Sequence, residues 1–332
     1  MKTILVINAL NGVFPLVLQK KYPDAKITCA EIFPFYKHHL KNLGFEVVDW
    51  DQVGDMKFDI VVGNPPYQAA SNNGRLGSRG ESAIWPNFVK TSLNLLKPGG
   101  YLGMVHPTSW RKPQDRYGLW NILTKDNTLK KLVMKSGKGS QDVFGIGVRV
   151  DWYVLQKTPP TDDHTCVISD HENNQSIINL QKWPWLPNYA FEEVSQILGS
   201  GCEVLYDTFY HTQKPHSDSQ CDQFRYPIVH TMNRSGLGIK YFDKPSTTSI
   251  HHGRKKVLLN QNELQYPYND YKGEYGMSQL TFGISIKNQK EGDKIVAFLN
   301  SDKGKRIIAA TKWNTFYTDY GMFENFKKDW YV

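Results

Sequence analysis

A chain of 332 residues that is 40% hydrophobic and carries a formal net charge of +8 can bury a sizeable core, and two domains are expected. The charge is uneven: +9 over residues 1–157, −6 over 158–239 and +5 over 240–332. Basic outer thirds around an acidic middle suit an anionic partner. Cys29, Cys166, Cys202 and Cys221 are widely spaced, with no Cys-x-x-Cys pair and no histidine at zinc-ligand spacing, so neither a disulfide framework nor a metal site is indicated.

The apolar opening, Ile4-Leu5-Val6-Ile7, is interrupted by Asn8, Asn11 and Gly12. It reads as a first strand rather than a secretory leader. No later apolar run has the length to span a bilayer, and a soluble, cytoplasmic protein is expected. Amphipathic stretches and short apolar runs then alternate: Val13 to Tyr22, Ile27 to Ala30, Phe33 to Leu43, Phe45 to Val48, Phe58 to Val62 and Ala83 to Leu96. Lys97-Pro98-Gly99-Gly100 closes that last helix, and Tyr101 to Val105 runs into His106-Pro107. This β-α alternation predicts an α/β fold with a mostly parallel, Rossmann-like sheet, its ligand site beyond the carboxyl ends of the strands.

Those ends are polar. The first carries Asn8-Ala9-Leu10-Asn11-Gly12, the second ends at Glu31, the third at Asp49-Trp50-Asp51 and the fourth at Asn64-Pro65-Pro66-Tyr67. A carboxylate closing the second strand suits the two ribose hydroxyls of a nucleoside, although Glu31 also reads as a solvated loop acid or helix cap. Asp49 competes with Asp51 for the corresponding place on the third.

Two successive prolines after an apolar strand cannot continue a ladder, so they form a rigid turn. That turn offers the Asn64 side-chain carbonyl and the Pro65 backbone carbonyl as acceptors, with Tyr67 as a flat face. Two acceptors on a weakly nucleophilic aromatic amine draw its nitrogen toward tetrahedral geometry, and stacking holds the ring. A base in a duplex reaches such a site only when flipped out or unpaired.

With Trp85 and Phe88 on the next helix and the strand ending His106-Pro107-Thr108-Ser109-Trp110, residues 4–157 resemble the γ-type N6-adenine DNA methyltransferases. The resemblance implies a methyltransferase that takes its methyl group from S-adenosylmethionine. It implies a catalytic domain over 1–157 followed by a smaller α+β target-recognition domain over 158–332. It gives Glu31 to the cofactor ribose, Asp51 to the cofactor adenine, Asn8 and Gly12 to the cofactor loop, and Asn64, Pro65, Pro66 and Tyr67 to the target base. Phe144 falls near the family's second base-stacking aromatic, while by pattern it reads equally as a core strand residue.

The family's cofactor loop is normally Asp-Pro-x-x-Gly-x-Gly, and here only Gly12 of that pattern remains. A catalytically silent DNA-binding relative, or a subunit beside an active partner, is therefore the rival reading. RNA or protein-glutamine methylation, which uses the same turn, is another. Residues 68–82 are rich in Ser, Asn and Gly and contain Arg75 and Arg79, positioned to reach DNA phosphates, with Arg111 and Lys112 extending that rim. Beyond residue 157 the Trp183-Pro184-Trp185 run reads as packing. Aromatic and basic residues interleave after Tyr226, and Arg254 and Lys255 there are expected to contact DNA. His251-His252 suggests an exposed loop without further metal ligands, and Ile295 to Ala310 a single packing helix.

Overall fold

The computed structural model describes residues 1–69, 83–113, 115–145, 147–262, 264–313 and 317–332, the side chain of Phe144 apart. Two compact units emerge. The first takes Met1–Trp110 and Asp115–Trp183, the second Arg111–Gln114 and Pro184–Val332.

In the first unit the elements follow as β1 (Thr3–Ile7), α1 (Val13–Lys21), β2 (Lys26–Ala30), α2 (Pro34–Asn42), β3 (Glu46–Val48), β4 (Phe58–Gly63), α3 (Trp85–Leu95), β5 (Leu96–Pro107), α4 (Leu119–Thr124), β6 (Thr128–Lys135), α5 (Gly137–Phe144), β7 (Val150–Gln156), β8 (Cys166–Ser169) and β9 (Gln175–Ile178). They form one nine-stranded sheet in the order β3-β2-β1-β4-β5-β7-β6-β8-β9. Strands β1 to β5 are parallel, and β7 enters antiparallel between β5 and β6. This is the α/β architecture with a mostly parallel, Rossmann-like sheet expected from the alternation. Strand order reverses at β1, which has β2 on one side and β4 on the other, and such a switch point leaves a crevice at the strand ends. Ile4, Val6, Ala9, Ile27, Cys29, Leu40 and Phe45 pack together as a buried core beneath it.

Two local devices bring β1 and β4 together. At the amino end, Asp59 accepts hydrogen bonds from the Thr3 backbone N–H at 2.8 Å and from its hydroxyl at 2.9 Å. At the carboxyl end, a Cβ on Gly63 would lie 2.7 Å from the Ile7 Cβ and 2.8 Å from the Ile7 carbonyl oxygen, so only glycine permits this approach.

Three expectations need correction. The boundary after residue 157 moves to Trp183, because β8 pairs with β6 and β9 with β8, extending the first sheet. Lys97-Pro98-Gly99-Gly100 lies within β5, where the β4 register jumps from Phe58↔Leu96 to Ile60↔Tyr101 and the extra residues bulge. Phe144 ends helix α5, which Ser136 caps by accepting the Gly139 N–H at 3.1 Å and Gly145 terminates in left-handed geometry.

The second unit holds α6 (Phe191–Ser195), β10 (Val204–Leu205), β11 (His216–Ser217), β12 (Tyr226–Asn233), β13 (Gly236–Phe242), β14 (Lys256–Asn260), β15 (Tyr268–Asp270), β16 (Gly276–Met277), β17 (Thr281–Ser285), α7 (Gln289–Asn300) and α8 (Asp302–Ala310). Its two four-stranded sheets are ordered β10-β17-β14-β15 and β11-β13-β12-β16, giving an α+β unit. The expected single helix over 295–310 is broken at Ser301, whose extended backbone and side-chain bond to the Gly304 N–H, 3.1 Å, start α8 afresh. Among the described residues no helix is long and apolar enough to cross a membrane.

Candidate active site

The carboxyl ends of β3, β2, β1 and β4 are stitched together by hydrogen bonds that cross from strand to strand. The Glu31 N–H donates to the Val48 carbonyl at 3.2 Å and the Asn8 N–H to the Ala30 carbonyl at 2.9 Å. The Asn8 side-chain amide donates to the Asn64 backbone carbonyl at 2.8 Å. Four strand ends separated in sequence thus form one connected rim.

The loop leaving β1 is coiled by left-handed residues: Asn8 at φ 55°, Leu10 at φ 48° and Gly12 at φ 81°. Asn8 tolerates this geometry and Gly12 accepts it freely, but Leu10 carries a cost of about 1–2 kcal/mol. Glu31 supplies the compensation. Its carboxylate, fully buried, accepts the Leu10 N–H at 2.9 Å on one oxygen and the Ile32 and Phe33 N–H groups at 2.8 and 3.0 Å on the other. Glu31 is therefore not a solvated acid: it clamps the β1 loop to the β2 loop. Charge-assisted bonds of this kind are about twice as strong as neutral ones.

Asp51 stands exposed on a one-turn 3₁₀ helix, Trp50–Gln52, after β3. Its competitor Asp49 forms an ion pair with Lys37, which leaves Asp51 the carboxylate presented at that strand end. Trp50 stacks on Phe88 of α3 with ring centroids 4.7 Å apart. Trp85 lies flat on His106 at 4.3 Å, and His106 reaches the Tyr153 hydroxyl at 3.1 Å. These contacts dock α3 against the ends of β3 and β5.

After β4 the turn residues Asn64, Pro66 and Tyr67 are half-buried and Pro65 is buried. The Tyr67 hydroxyl donates to Asn64 Oδ1 at 2.9 Å, a contact that residue pattern alone does not announce. Burial pushes the Tyr67 phenol up to about 12, so it remains a donor at any ordinary pH. The Tyr67 carbonyl takes the Ile84 N–H at 3.1 Å, and Gln68 bridges Ala83 in antiparallel fashion, so the connection that returns to α3 is closed at its base. Arg75 and Arg79 lie outside the described residues, as does the Phe144 side chain.

The remaining candidates do not form a phosphate rim. Arg111 is fully buried, and its guanidinium donates to the Leu186 and Pro187 carbonyls at 3.2 Å and to Asn188 Oδ1 at 3.1 Å. It staples the start of the second unit rather than facing solvent. Lys112 pairs with Asp319 at 3.3 Å. Arg254 pairs with Glu203 at 2.5 Å, while Lys255 is exposed. His251, expected on an exposed loop, is fully buried. It contacts Asp207 at 2.8 Å through Nε2 and accepts the Met277 N–H at 3.0 Å on Nδ1. Trp185 is likewise buried, edge-on to Trp313 at 5.3 Å.

Comparison with known proteins bears on the first unit. Residues 17–144 match the family model of the Eco57I restriction-modification methylases. An uncharacterized adenine-specific methylase of Mycoplasma pneumoniae is 39% identical over 72 residues, 22% of this chain and 16% of that protein. The type II restriction enzyme and methyltransferase RM.Eco57I of Escherichia coli is 30% identical over 102 residues, 26% of this chain and 10% of its own length. A protein of Methanocaldococcus jannaschii with a similar name is 24% identical over 298 residues, 83% of this chain and 23% of that one. The chain therefore spans less than a quarter of each of these relatives. Through residues 17–144, which contain the second, third and fourth strand ends of the rim, the chain is similar to the Eco57I restriction-modification methylases.

Proposed function

We propose that the chain methylates the N6 amine of adenine in DNA, with S-adenosylmethionine as methyl donor and the target base swung out of the duplex. The observation that carries this reading is the Asn64-to-Tyr67 turn, held at the strand-order switch by Asn8 from one side and by its own Tyr67 hydroxyl from the other. A relative named as an adenine-specific methylase and another named as a restriction enzyme and methyltransferase support it.

The β1 to β3 ends fit the cofactor. Asn8 Oδ1 is buried and has no hydrogen-bond partner, an acceptor whose cost of about 1–3 kcal/mol is relieved by a ligand donor such as an ammonium. The left-handed backbone at Asn8, Leu10 and Gly12 coils the loop tightly where the family carries a glycine-rich loop. Glu31 has already spent three acceptor positions on backbone N–H groups; of about four lone-pair sites on a carboxylate, one remains for a ribose hydroxyl. Asp51, exposed after β3, is the candidate for the cofactor adenine. Bound there, S-adenosylmethionine supplies an electrophilic methyl carbon on a sulfonium.

The protein's part is positional. Asn64 Oδ1 and the Pro65 carbonyl accept the two N–H groups of the target amine and turn its lone pair toward the methyl carbon. The Tyr67 bond fixes the Asn64 rotamer, and because an amide oxygen has two lone pairs, it leaves one for the substrate. The Tyr67 ring stacks on the base, and Phe144 is a candidate for the opposite face. Orientation of this type accounts for several orders of magnitude in rate. No general base is required, since the proton leaves the amine after methylation and passes to solvent.

The second unit is proposed as the target-recognition part, with Lys255 on its exposed surface and Arg254 half-exposed beside Glu203. Arg75 and Arg79 remain candidates for phosphate contacts. Transfer of labelled methyl to adenine-containing duplex DNA, run beside RNA and protein acceptors, tests the proposal. Label in DNA that disappears in Asn64→Ala supports it; label in RNA or protein alone, or no cofactor binding by a folded chain, defeats it.

A further inference from the structure

We infer that a cleft in the second unit, between the loop after β14 and the α7–α8 pair, takes a nucleobase of the DNA together with its flanking phosphate and so contributes to reading the recognition sequence. This rests on the DNA reading above and adds a site that no motif announces. The cleft encloses about 610 Å³, within the range of about 300–1,000 Å³ typical of small-molecule pockets.

Its lining divides by chemistry. Asn262, Gln265 and Asn300 bring side-chain amides, Tyr266 a ring, and Lys305 and Lys312 positive charge. Asn and Gln amides match the donor and acceptor pair on an adenine edge, an aromatic ring offers stacking to any base, and lysines neutralise phosphate. A purely apolar ligand would leave the amides unpaired, while an acidic peptide would make no use of the ring and amides together.

The loop is built to present these groups. Gln261 donates its N–H to the Leu280 carbonyl at 2.9 Å and accepts the Thr318 N–H at 2.8 Å. The Asn262 N–H is held by Asn260 Oδ1 at 3.0 Å. Beyond this fixed base, Gln265 and Tyr266 project outward, Tyr266 with 44% of its surface exposed. Tyr266 also adopts φ 60° immediately before Pro267, a left-handed backbone that is unfavourable for a bulky side chain. The ring carried by this backbone lines the cleft. On the facing wall, Lys305 is exposed on α8.

The test uses the full chain and fluorescent duplexes, with Lys305→Gln, Gln265→Ala and Tyr266→Ala. All three positions are exposed, so folding is preserved, and unchanged calorimetric binding of S-adenosylhomocysteine verifies it. Lys305→Gln is expected to lower the salt slope of DNA affinity by about 1. The other two are expected to reduce the preference for the cognate duplex over single-base variants about tenfold, the scale of one base contact. Wild-type slope and wild-type discrimination in all three variants overturn the inference. A wild-type chain that binds no DNA at all defeats the underlying reading instead, so the two failures are distinguishable.

Discussion

Asn8 holds Asn64: its side-chain amide donates to the Asn64 backbone carbonyl at 2.8 Å, and this requirement for a donor orients the amide so that Oδ1 faces the buried, unpartnered side. In the proposed reaction one residue would serve both halves of the rim, its nitrogen on the Asn64 turn and its oxygen available to the methyl donor. The related methyltransferase pattern has an aspartate at this place. A carboxylate would strengthen the acceptor but has no N–H for the turn, and it would set oxygen against the Asn64 carbonyl.

Asn8→Asp is thus expected to separate binding from rate. S-adenosylhomocysteine should bind at least as tightly as to the wild type, while the single-turnover methylation rate falls about tenfold, the value of one lost hydrogen bond of about 1–1.5 kcal/mol in the reacting geometry. Asn8→Ala should lose both. Calorimetry and rapid-quench methylation report the two quantities separately. A wild-type rate in Asn8→Asp would show that the turn does not depend on this bond.

In the proposed reaction Tyr67 would have two separable roles. Tyr67→Phe keeps the ring but removes the bond to Asn64 Oδ1, so its kcat should fall about fivefold to tenfold with little change in KM for DNA. Tyr67→Ala should also raise that KM, since a base–aromatic stack contributes about 1–3 kcal/mol. Equal losses in the two variants would mean that the hydroxyl, not the ring, does everything. Because the phenol lies near 12, the ratio of wild-type to Tyr67→Phe rates should be flat between pH 6 and 9.

How much of this rim was legible in the residues depends on the range of the interaction involved. Apolar alternation from Ile4 to Val62 reports burial on both faces of parallel strands, and so the polar residue that ends each strand stands out. Glu31 was visible as a strand-ending acid, yet its clamp on Leu10 was not, because that bond closes a gap of 21 residues that sequence spacing does not encode. Phe144 shows a different failure. Gly137-Lys138-Gly139-Ser140 looks like loop by propensity, while the Ser136 cap and the Gly145 stop are together enough to hold a short helix. The strands β8 and β9 were missed for a third reason: they add to a sheet edge through the backbone, and their composition does not mark which sheet they join.

Arg111 illustrates why positive charge alone misleads. Three acceptors, Leu186 O, Pro187 O and Asn188 Oδ1, converge on its planar fork, a geometry an ammonium does not reproduce. Arg111→Lys should therefore cost about 2–3 kcal/mol of stability, measured by denaturant unfolding, and should leave the salt slope of DNA binding unchanged. A phosphate ligand would behave in the opposite way, tolerating lysine in stability. Wild-type stability in Arg111→Lys would restore the rim reading.

Acid sensitivity of the first sheet should trace in part to Asp59. Its carboxylate accepts the Thr3 backbone N–H and is also held by Lys97 at 3.0 Å and by the Thr3 hydroxyl. These contacts, the Thr3 backbone bond first, lower it from 3.8 to about 2. A depressed folded-state value means that the contribution is complete above the unfolded value near 4 and disappears as pH falls from about 4 to about 2. The side chain is 33% exposed, so solvent screening keeps the contribution below about 1 kcal/mol. In urea titrations Asp59→Asn should be less stable than the wild type at pH 6, with the gap narrowing at pH 3 as the wild-type carboxylate begins to protonate. A gap that stayed constant between those two values would assign the loss to altered packing between β1 and β4 rather than to the charge that Thr3 and Lys97 hold.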